Sequence, residues 1–373
     1  MNIRHKFNLW GPTSLAVLLA ASLTGPAYAQ TASEQAENAP TIADESVASA
    51  EQVADTRELP RGHFRLPDQG DIIGESYTIT VDDPAETLID IARRHNIGYE
   101  EIRMANPGVS MWVPGEGTEI VIPAQYILPP APREGVVVNL SELRLYYYPA
   151  DNPGIVETYP VSVGREEFAT PVGITRTTIK VKDPAWAPPA SMRREAAARG
   201  EPAPSVVPAG PNNPLGEHAI LLAMPSYLIH GTNRPDGVGM RASRGCIRMY
   251  PEDIKSLYER LPSGTQVNLM DAPFKAGWAA DGTLFVQSYP QLEENVGDFE
   301  PLLDAIDRVD ALTEDQVAVD YAKVKSAVES PDGRFVALYG PQAQPTVEEE
   351  PASRNSLLEE IELSHLRAAE EDA

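Results

Sequence analysis

Two residues in the second half of the chain have the chemistry of a nucleophile and its base. Cys246 is the only cysteine among 373 residues, and His230, one of six histidines, precedes it in the stretch IHGTNRPDGVGMRASRGCIRM. A thiolate is a strong nucleophile, but a thiol needs a base or a neighbouring cation to ionise near neutral pH. His230 is a candidate to accept the thiol proton or to pair with the thiolate as an imidazolium. The pair therefore indicates nucleophilic catalysis, with an inert buried thiol as the alternative.

The residues around Cys246 are suited to support such a reaction. Arg244 and Arg248 bracket the thiol with fixed positive charge, which we expect to favour the thiolate. The backbone amides of Arg244, Gly245 and Cys246 are candidates to converge on a developing oxyanion, and glycine permits the tight turn that this requires. A helix predicted over residues 250–261 would add only a weak dipole effect at this distance.

The N-terminus predicts export, and the predicted compartment bears on the role of the single cysteine. Residues 4–6 are basic, residues 14–21 form an apolar run too short to span a bilayer, and Ala27-Tyr28-Ala29 has the small-x-small form of a cleavage site. We therefore predict a signal peptide cleaved after Ala29, a periplasmic location and no membrane insertion of the mature chain. A single cysteine cannot form an internal disulfide in that oxidising compartment, so its retention favours a chemical role.

Composition and motifs exclude several classes of function. The chain has 30 basic and 55 acidic residues and a formal charge of −25, which makes nucleic acid an improbable partner. Much of the acidity lies in its flanks, a pattern typical of solvated disordered ends. The sequence has no HExxH, CxxC or glycine-rich phosphate loop, so no metal site and no cofactor are predicted. His218 leads into a predicted strand, where we expect a structural role.

Periodicity and turn residues divide the chain into segments. Residues 76–123 read as strand, helix, helix and strand, a small α+β unit. Alternating apolar residues bounded by glycine and proline then predict a mainly β, antiparallel domain whose prominent helix is the one at 250–261. The predicted segments are a signal peptide (1–29), a disordered linker (30–70), the α+β unit (76–123), the β domain (134–270), a small C-terminal region (271–342) and an acidic disordered tail (343–373).

The α+β unit resembles a LysM domain. The strand SYTITV, the helix TLIDIARRHNI, the turn MANPG and the ending PGEGTEIVIP all correspond to that module. LysM domains bind glycans that contain N-acetylglucosamine, as in peptidoglycan. The resemblance therefore implies that residues 76–123 bind the glycan of the cell wall.

The β domain resembles the catalytic domain of the L,D-transpeptidases of the YkuD fold, in the periplasmic subgroup that carries an N-terminal LysM module. The motif IHGTN…ASRGCIRM and segments such as TYPVSVGREEFATPVG and VPAGPNNPLGEHAILL carry the resemblance. It implies an antiparallel β-sandwich in which Cys246 is the nucleophile, His230 is the base, and Ser243, Gly231 and Gly245 support them. The implied reaction attacks the diaminopimelate–D-alanine bond of a peptidoglycan tetrapeptide stem, forms an acyl-thioester and passes the acyl group to an amine. That amine belongs to a second diaminopimelate or to an outer-membrane lipoprotein.

Arg244 departs from the family pattern, in which a histidine commonly precedes the Gly-Cys pair. Arginine stays protonated in proteins, so His230 alone is predicted to act as the base. Arg244 would contribute its backbone amide and its positive charge. Arg248 is expected to bind a carboxylate of the peptide stem through two hydrogen bonds, and a structural salt bridge is the alternative. Trp186 and Met192 lie in a loop that resembles the lid of the family.

Two other functions stay open at this point. The same thioester passed to water would make the protein an L,D-carboxypeptidase or a hydrolase that releases tethered lipoprotein. A non-catalytic wall-binding protein with a degenerate β domain is the other alternative, and Arg244 is the feature that favours it.

Overall fold

The computed structural model describes residues 59–292, 301–314, 316–343, 353–359 and 361. The predicted signal peptide, the first part of the predicted linker and most of the predicted tail lie outside these residues. Within the described ranges, no helix is both long enough and apolar enough to cross a membrane.

The secondary-structure elements are labelled in chain order. The strands are β1 (His63–Arg65), β2 (Ile72–Gly74), β3 (Tyr77–Thr80), β4 (Glu119–Ile122), β5 (Gln125–Ile127), β6 (Gly135–Asn139), β7 (Arg144–Tyr148), β8 (Ile155–Pro160), β9 (Val163–Gly164), β10 (Gly173–Lys182), β11 (His218–Leu222), β12 (Leu228–His230), β13 (Arg241–Ser243), β14 (Ile247–Arg248), β15 (Gln266–Met270), β16 (Phe274–Trp278), β17 (Leu284–Ser288) and β18 (Val336–Tyr339). The α-helices are α1 (Leu88–Arg94), α2 (Tyr99–Ala105), α3 (Ala190–Ala198), α4 (Pro251–Arg260), α5 (Pro301–Thr313) and α6 (Tyr321–Glu329).

A nine-stranded sheet in the order β1-β8-β7-β6-β15-β10-β11-β12-β14 forms the framework. The mainly β class and the helix after the cysteine motif are confirmed, the latter as α4. The sheet is mixed, however, because β6 pairs with β15 and β12 pairs with β14 in parallel. The predicted antiparallel arrangement is therefore confirmed for the other strand pairs of this sheet and wrong for these two. Parallel neighbours need long crossovers, and the loop of residues 231–246 provides one between β12 and β14.

Two cores cover the opposite faces of the central strands. Val136 and Val138 of β6 lie in a core with α4, β12 and β14, whereas Val137 between them lies in a second core. Strand β7 alternates in the same way, with Leu145 in the first core and Tyr146 in the second. Alternation along a strand sends successive side chains to opposite faces, so both faces of this part of the sheet are buried.

The second core belongs to the predicted α+β unit, which we call the βααβ unit (residues 77–122). Its order of strand, helix, helix and strand is confirmed, with β3 and β4 paired antiparallel. Thr87 starts α1 with a capping box: its hydroxyl accepts from the Asp90 amide, and the Asp90 carboxylate accepts from the Thr87 amide. Leu88, Ile91 and Ile102 are fully buried beneath the sheet residues Val137 and Tyr146. The unit thus packs directly on the back of the large sheet.

A buried ion pair joins the βααβ unit to the sheet. Arg144 of β7 is fully buried, and its guanidinium donates to both carboxylate oxygens of Glu101 at 2.8 Å. The same carboxylate accepts the Gly98 amide at the start of α2 at 2.7 Å. The guanidinium also lies 4.1 Å from the ring centroid of Tyr126. The docking of the unit is therefore specified by polar geometry as well as by apolar burial.

Removing one partner of that pair should strongly destabilise the fold. In Arg144→Met the Glu101 carboxylate stays buried without its cation, and we expect the free energy of unfolding to fall by roughly 3–5 kcal/mol. Arg103→Met, which removes an exposed arginine of the same α2 helix, should change it by about 0.5 kcal/mol or less. Urea unfolding of both variants measures the difference, and equal stability would show that Arg144 does not anchor the unit.

Two terminal segments are more ordered than the sequence predicts. Within the predicted linker (30–70), β1 pairs with β8, so the linker prediction is wrong for residues 63–65; β2, which follows between the predicted linker and the α+β unit, pairs with β5. Within the predicted disordered tail, residues 354–359 are helical and Leu357 is buried in a third core with α5, α6 and β16–β18. In these segments isolated apolar residues such as Leu357 stand among polar ones, so they give no periodic pattern. They are buried only because distant parts of the chain form the surfaces against which they pack.

Candidate active site

Strand alternation places His230 and Cys246 on one face of a parallel strand pair. In the register of β12 and β14, Ile229 lies opposite Ile247, and both isoleucines are buried in the first core. Their neighbours His230 and Cys246 consequently direct their side chains away from that core. His230 ends β12 and Cys246 directly precedes β14, so the two candidates lie on adjacent segments of the sheet, with the Cys246 thiol donating to the Ser226 carbonyl at 3.5 Å.

The turn before Cys246 is fixed by a small hydrogen-bond network. The buried Ser243 hydroxyl accepts the Gly245 amide at 3.1 Å and donates to the Cys246 carbonyl at 2.5 Å. The Thr170 hydroxyl donates to the Gly245 carbonyl at 2.9 Å. Ser243 and Gly245 therefore support the cysteine through the backbone. The sequence did not single out Thr170, because the residue that it contacts, Gly245, lies 75 positions further along the chain.

Gly245 is required by both conformation and space. Its φ of +98° lies in the left-handed region, and a Cβ there would come within 2.8 Å of the Tyr227 ring. Its amide, however, is already bonded to Ser243. Of the three amides predicted to bind an oxyanion, the Gly245 amide therefore has another acceptor in this structure, which favours the Arg244 and Cys246 amides for that role.

Gly231 holds the imidazole in one tautomer. The His230 Nδ1 lies 2.6 Å from the Gly231 carbonyl oxygen, which can only accept, so Nδ1 carries the proton. The other ring nitrogen, Nε2, is then unprotonated and able to accept a proton. Gly231 itself has little room for a side chain, since a Cβ would lie 3.2 Å from Cγ2 of Ile254.

Burial keeps both members of the pair uncharged. Burial, together with the charge of Arg248, lowers the pKa of His230 to about 4, although hydrogen bonds to the Gly231 and Leu215 carbonyls act in the opposite direction. Burial raises the pKa of the Cys246 thiol, against a backbone hydrogen bond at Leu228 and the charge of Arg248. The resting pair near neutral pH is therefore a thiol and a neutral imidazole, which suits general-base activation at the moment of attack.

Arg248 is the cation that acts on the thiol. It follows Cys246 by two residues and pairs in register with His230. Its Nε is buried and has no hydrogen-bond partner in the described part of the chain. An unpartnered guanidinium nitrogen is what a carboxylate-binding arginine would present before its ligand arrives.

Arg244 does not act on the thiol in the way that the sequence suggested. Its guanidinium bonds to both carboxylate oxygens of Glu195 in α3 and lies 4.2 Å from the ring centroid of Phe168. The charge is therefore neutralised locally, and it is not among the influences on the Cys246 pKa. Instead, Arg244 ties the cysteine turn to α3, which contains Met192. Trp186 pairs through its backbone with Val207 in the same long connection.

Removing the Arg244 charge should leave the thiol pKa in place. In Arg244→Ala we expect the pH dependence of Cys246 alkylation by iodoacetamide to be unchanged, because Glu195 already neutralises the guanidinium. Glu195→Gln is the matched control, since it breaks the same contact from the other side, and both variants should behave alike. An upward shift of the apparent thiol pKa in Arg244→Ala alone would restore the direct electrostatic role.

The remaining candidates have structural surroundings. His218 is buried with its ring centroid 4.8 Å from that of Tyr258 on α4, in keeping with the packing role expected for it. In the ranges that the structure describes, no three histidine, cysteine, aspartate or glutamate side chains are grouped so that they could hold a metal ion.

Comparison with known proteins agrees with this geometry. Residues 133–269 match the family profile YkuD, described as the L,D-transpeptidase catalytic domain. The chain is 41% identical over 254 residues to "Probable L,D-transpeptidase YcfS" of Escherichia coli (strain K12), covering 67% of this chain and 77% of the relative. It is 40% identical over 243 residues to "Probable L,D-transpeptidase ErfK/SrfK" and 39% over 240 residues to "Probable L,D-transpeptidase YbiS" of the same strain. These matches cover 64% of this chain and 77% and 78% of the respective relatives.

Proposed function

Because the chain belongs to the L,D-transpeptidase family with a YkuD-type catalytic domain, we propose that it remodels peptidoglycan by a Cys246 thioester mechanism. The observation that carries the proposal is the placement of His230 at the end of β12, its Nδ1 bonded to the Gly231 carbonyl, next to β14, which Cys246 directly precedes. A neutral imidazole beside a neutral thiol is the arrangement that general-base activation of a nucleophile requires.

In the donor half of the reaction, His230 Nε2 takes the thiol proton as Sγ of Cys246 attacks the diaminopimelate carbonyl of a tetrapeptide stem. The carbonyl oxygen becomes an oxyanion, for which the Arg244 and Cys246 amides are the proposed donors. The C–N bond to D-alanine then breaks, and the imidazolium returns its proton to the leaving amine. The product is an acyl-thioester on Cys246 and free D-alanine.

In the acceptor half, an amine attacks the thioester while His230 removes its proton. The C–S bond breaks and the proton returns to the thiolate, which restores the resting thiol. The amine of a second diaminopimelate would give a 3→3 cross-link, and a lysine of an outer-membrane lipoprotein would give a protein anchor. Ser243 and Gly231 hold the nucleophile and the base in place throughout.

The βααβ unit and the N-terminus give the proposed setting of this reaction. Residues 76–123 are proposed to be a LysM glycan-binding module, on the motif SYTITV…PGEGTEIVIP and the βααβ order of its elements. The signal-peptide pattern of residues 1–29 supports export to the periplasm. Both assignments bring the catalytic domain to the polymer that it would modify.

The products formed from isolated muropeptides test the proposed reaction. Disaccharide tetrapeptides incubated with the enzyme should give dimers that have lost one D-alanine, read by mass. Adding a lipoprotein with a C-terminal lysine should give lipoprotein-linked muropeptides. Trimmed monomers alone, without either transfer product, would show that water is the acceptor and would overturn the transferase assignment.

A further inference from the structure

A groove of about 550 Å³ lies between the βααβ unit and the catalytic domain. The βααβ unit contributes Ile89, Tyr99 and Trp112, and the catalytic domain contributes Arg234, Met240 and Arg248. Asp236 and Gly237 complete the catalytic-domain wall. Since Arg248 pairs in register with His230 and follows Cys246 by two residues, this groove adjoins the candidate nucleophile and base.

The two walls of the groove are fixed to each other by backbone contacts. The Tyr99 amide donates to the Val238 carbonyl at 2.9 Å, and the Glu100 amide donates to the Gly239 carbonyl at 3.2 Å. At Gly239 the approach is so close that a Cβ would lie 2.4 Å from the Tyr99 nitrogen. The loop that carries Arg234 is therefore held against the start of α2. The groove is preformed, as most ligand sites are.

The charge of the groove favours an anion. Arg234 and Arg248 lie on the catalytic-domain wall, and Asp236 on the same wall is the one acidic residue in the lining. Burial lowers the pKa of Arg248, Cys246 raises it, and the nearby Arg234 charge lowers it, as expected for two like charges on one wall. With the Nε of Arg248 buried and unpartnered among the described residues, a carboxylate would relieve both the repulsion and the missing hydrogen bond.

The other wall of the groove, from the βααβ unit, carries apolar side chains. Trp112 is 63% exposed, an unusual setting for a tryptophan, and Ile89 also lines the groove. A ligand held between the two walls would therefore need a carboxylate for the arginines and a larger ring or apolar group for the tryptophan. A peptide stem attached to a sugar has both.

We infer that this groove binds the acyl-donor stem: Arg234 and Arg248 hold a free stem carboxylate, and Trp112 of the βααβ unit contacts the attached glycan. The inference rests on the proposed function for the identity of the substrate. It makes the βααβ unit a wall of the substrate site, beyond any role as a separate anchor. Arg234 is then a specificity residue for the donor that does not touch the reacting atoms.

Acylation kinetics with a soluble disaccharide tetrapeptide test the inference. In Arg234→Gln, loss of a charge-assisted contact should raise the KM for the donor about 10- to 100-fold with little change in kcat. The same variant should bind a donor with amidated carboxylates as well as wild type does. Arg94→Gln, which removes an exposed cation of the βααβ unit outside the groove lining, is the matched control and should leave KM unchanged.

Trp112→Ala should raise KM for the disaccharide tetrapeptide more than for the sugar-free tetrapeptide. Alkylation of Cys246 by neutral iodoacetamide should proceed at the wild-type rate in both groove variants, which excludes a general disturbance of the site. Unchanged KM in Arg234→Gln, or an effect confined to the acceptor step, would overturn the inference while the proposed reaction stands. If the wild type does not turn over the donor, calorimetry tests the groove instead. Binding of the stem is compared between Cys246→Ser and Cys246→Ser/Arg234→Gln, and equal affinities would overturn the inference.

Discussion

Cys246→Ser should fold like the wild type and lose acyl transfer by several orders of magnitude. Serine is nearly isosteric with cysteine, and the turn that holds it depends on backbone contacts to Ser243 and Thr170. The hydroxyl, however, has a much higher pKa than a thiol, so the same imidazole activates it far less. Release of D-alanine from a soluble tetrapeptide measures the loss, and thermal unfolding checks that the fold is retained.

Ser243→Ala is the informative companion to that variant. It removes the hydroxyl that bonds to both Gly245 and Cys246, so it should reduce the rate by misplacing the thiol while the thiol remains reactive. D-alanine release by Cys246→Ser within tenfold of the wild-type rate would show that Cys246 is not the nucleophile.

His230→Ala should slow acylation by about 10²–10⁴, the usual contribution of a positioned acid–base group. In the wild type the pKa of His230 is lowered to about 4, so the imidazole is neutral and competent from about pH 5 upward. Acylation should therefore decline only as the pH falls through about 4, and the decline should be absent from the residual activity of His230→Ala.

The control for this prediction is His218→Ala. That imidazole is also buried in the catalytic domain, but it packs against Tyr258, so its removal should affect stability more than the acid limb of the rate profile. An acid limb near pH 6.5 in the wild type, or one that persists in His230→Ala, would contradict the assignment of His230 as the base.

The sequence was informative where spacing and residue type act locally. The alternation of β7 and the order of elements in the βααβ unit follow from periodicity and motif, and both are found in the structure. The left-handed glycine before the cysteine follows in the same way from a turn that only glycine adopts easily.

The rest depends on contacts between distant segments, which no local pattern encodes. Arg244 meets Glu195 across a long connection, so its charge is neutralised by a residue that spacing could not identify. The sequence predicts the α+β unit (76–123) only as a segment separate from the β domain (134–270). The buried Arg144–Glu101 pair makes it part of the catalytic body instead. The groove with Arg234 and Trp112 exists only because of that docking.

The central claim is that Cys246 carries the acyl group of the stem as a thioester. Intact-mass measurement of the enzyme, quenched in acid soon after mixing with a tetrapeptide donor, tests it most directly. The account predicts a mass increment equal to the donor minus D-alanine, located at Cys246 by peptide mapping and released by added amine. The absence of any increment during active turnover, or an increment at another residue, would contradict it.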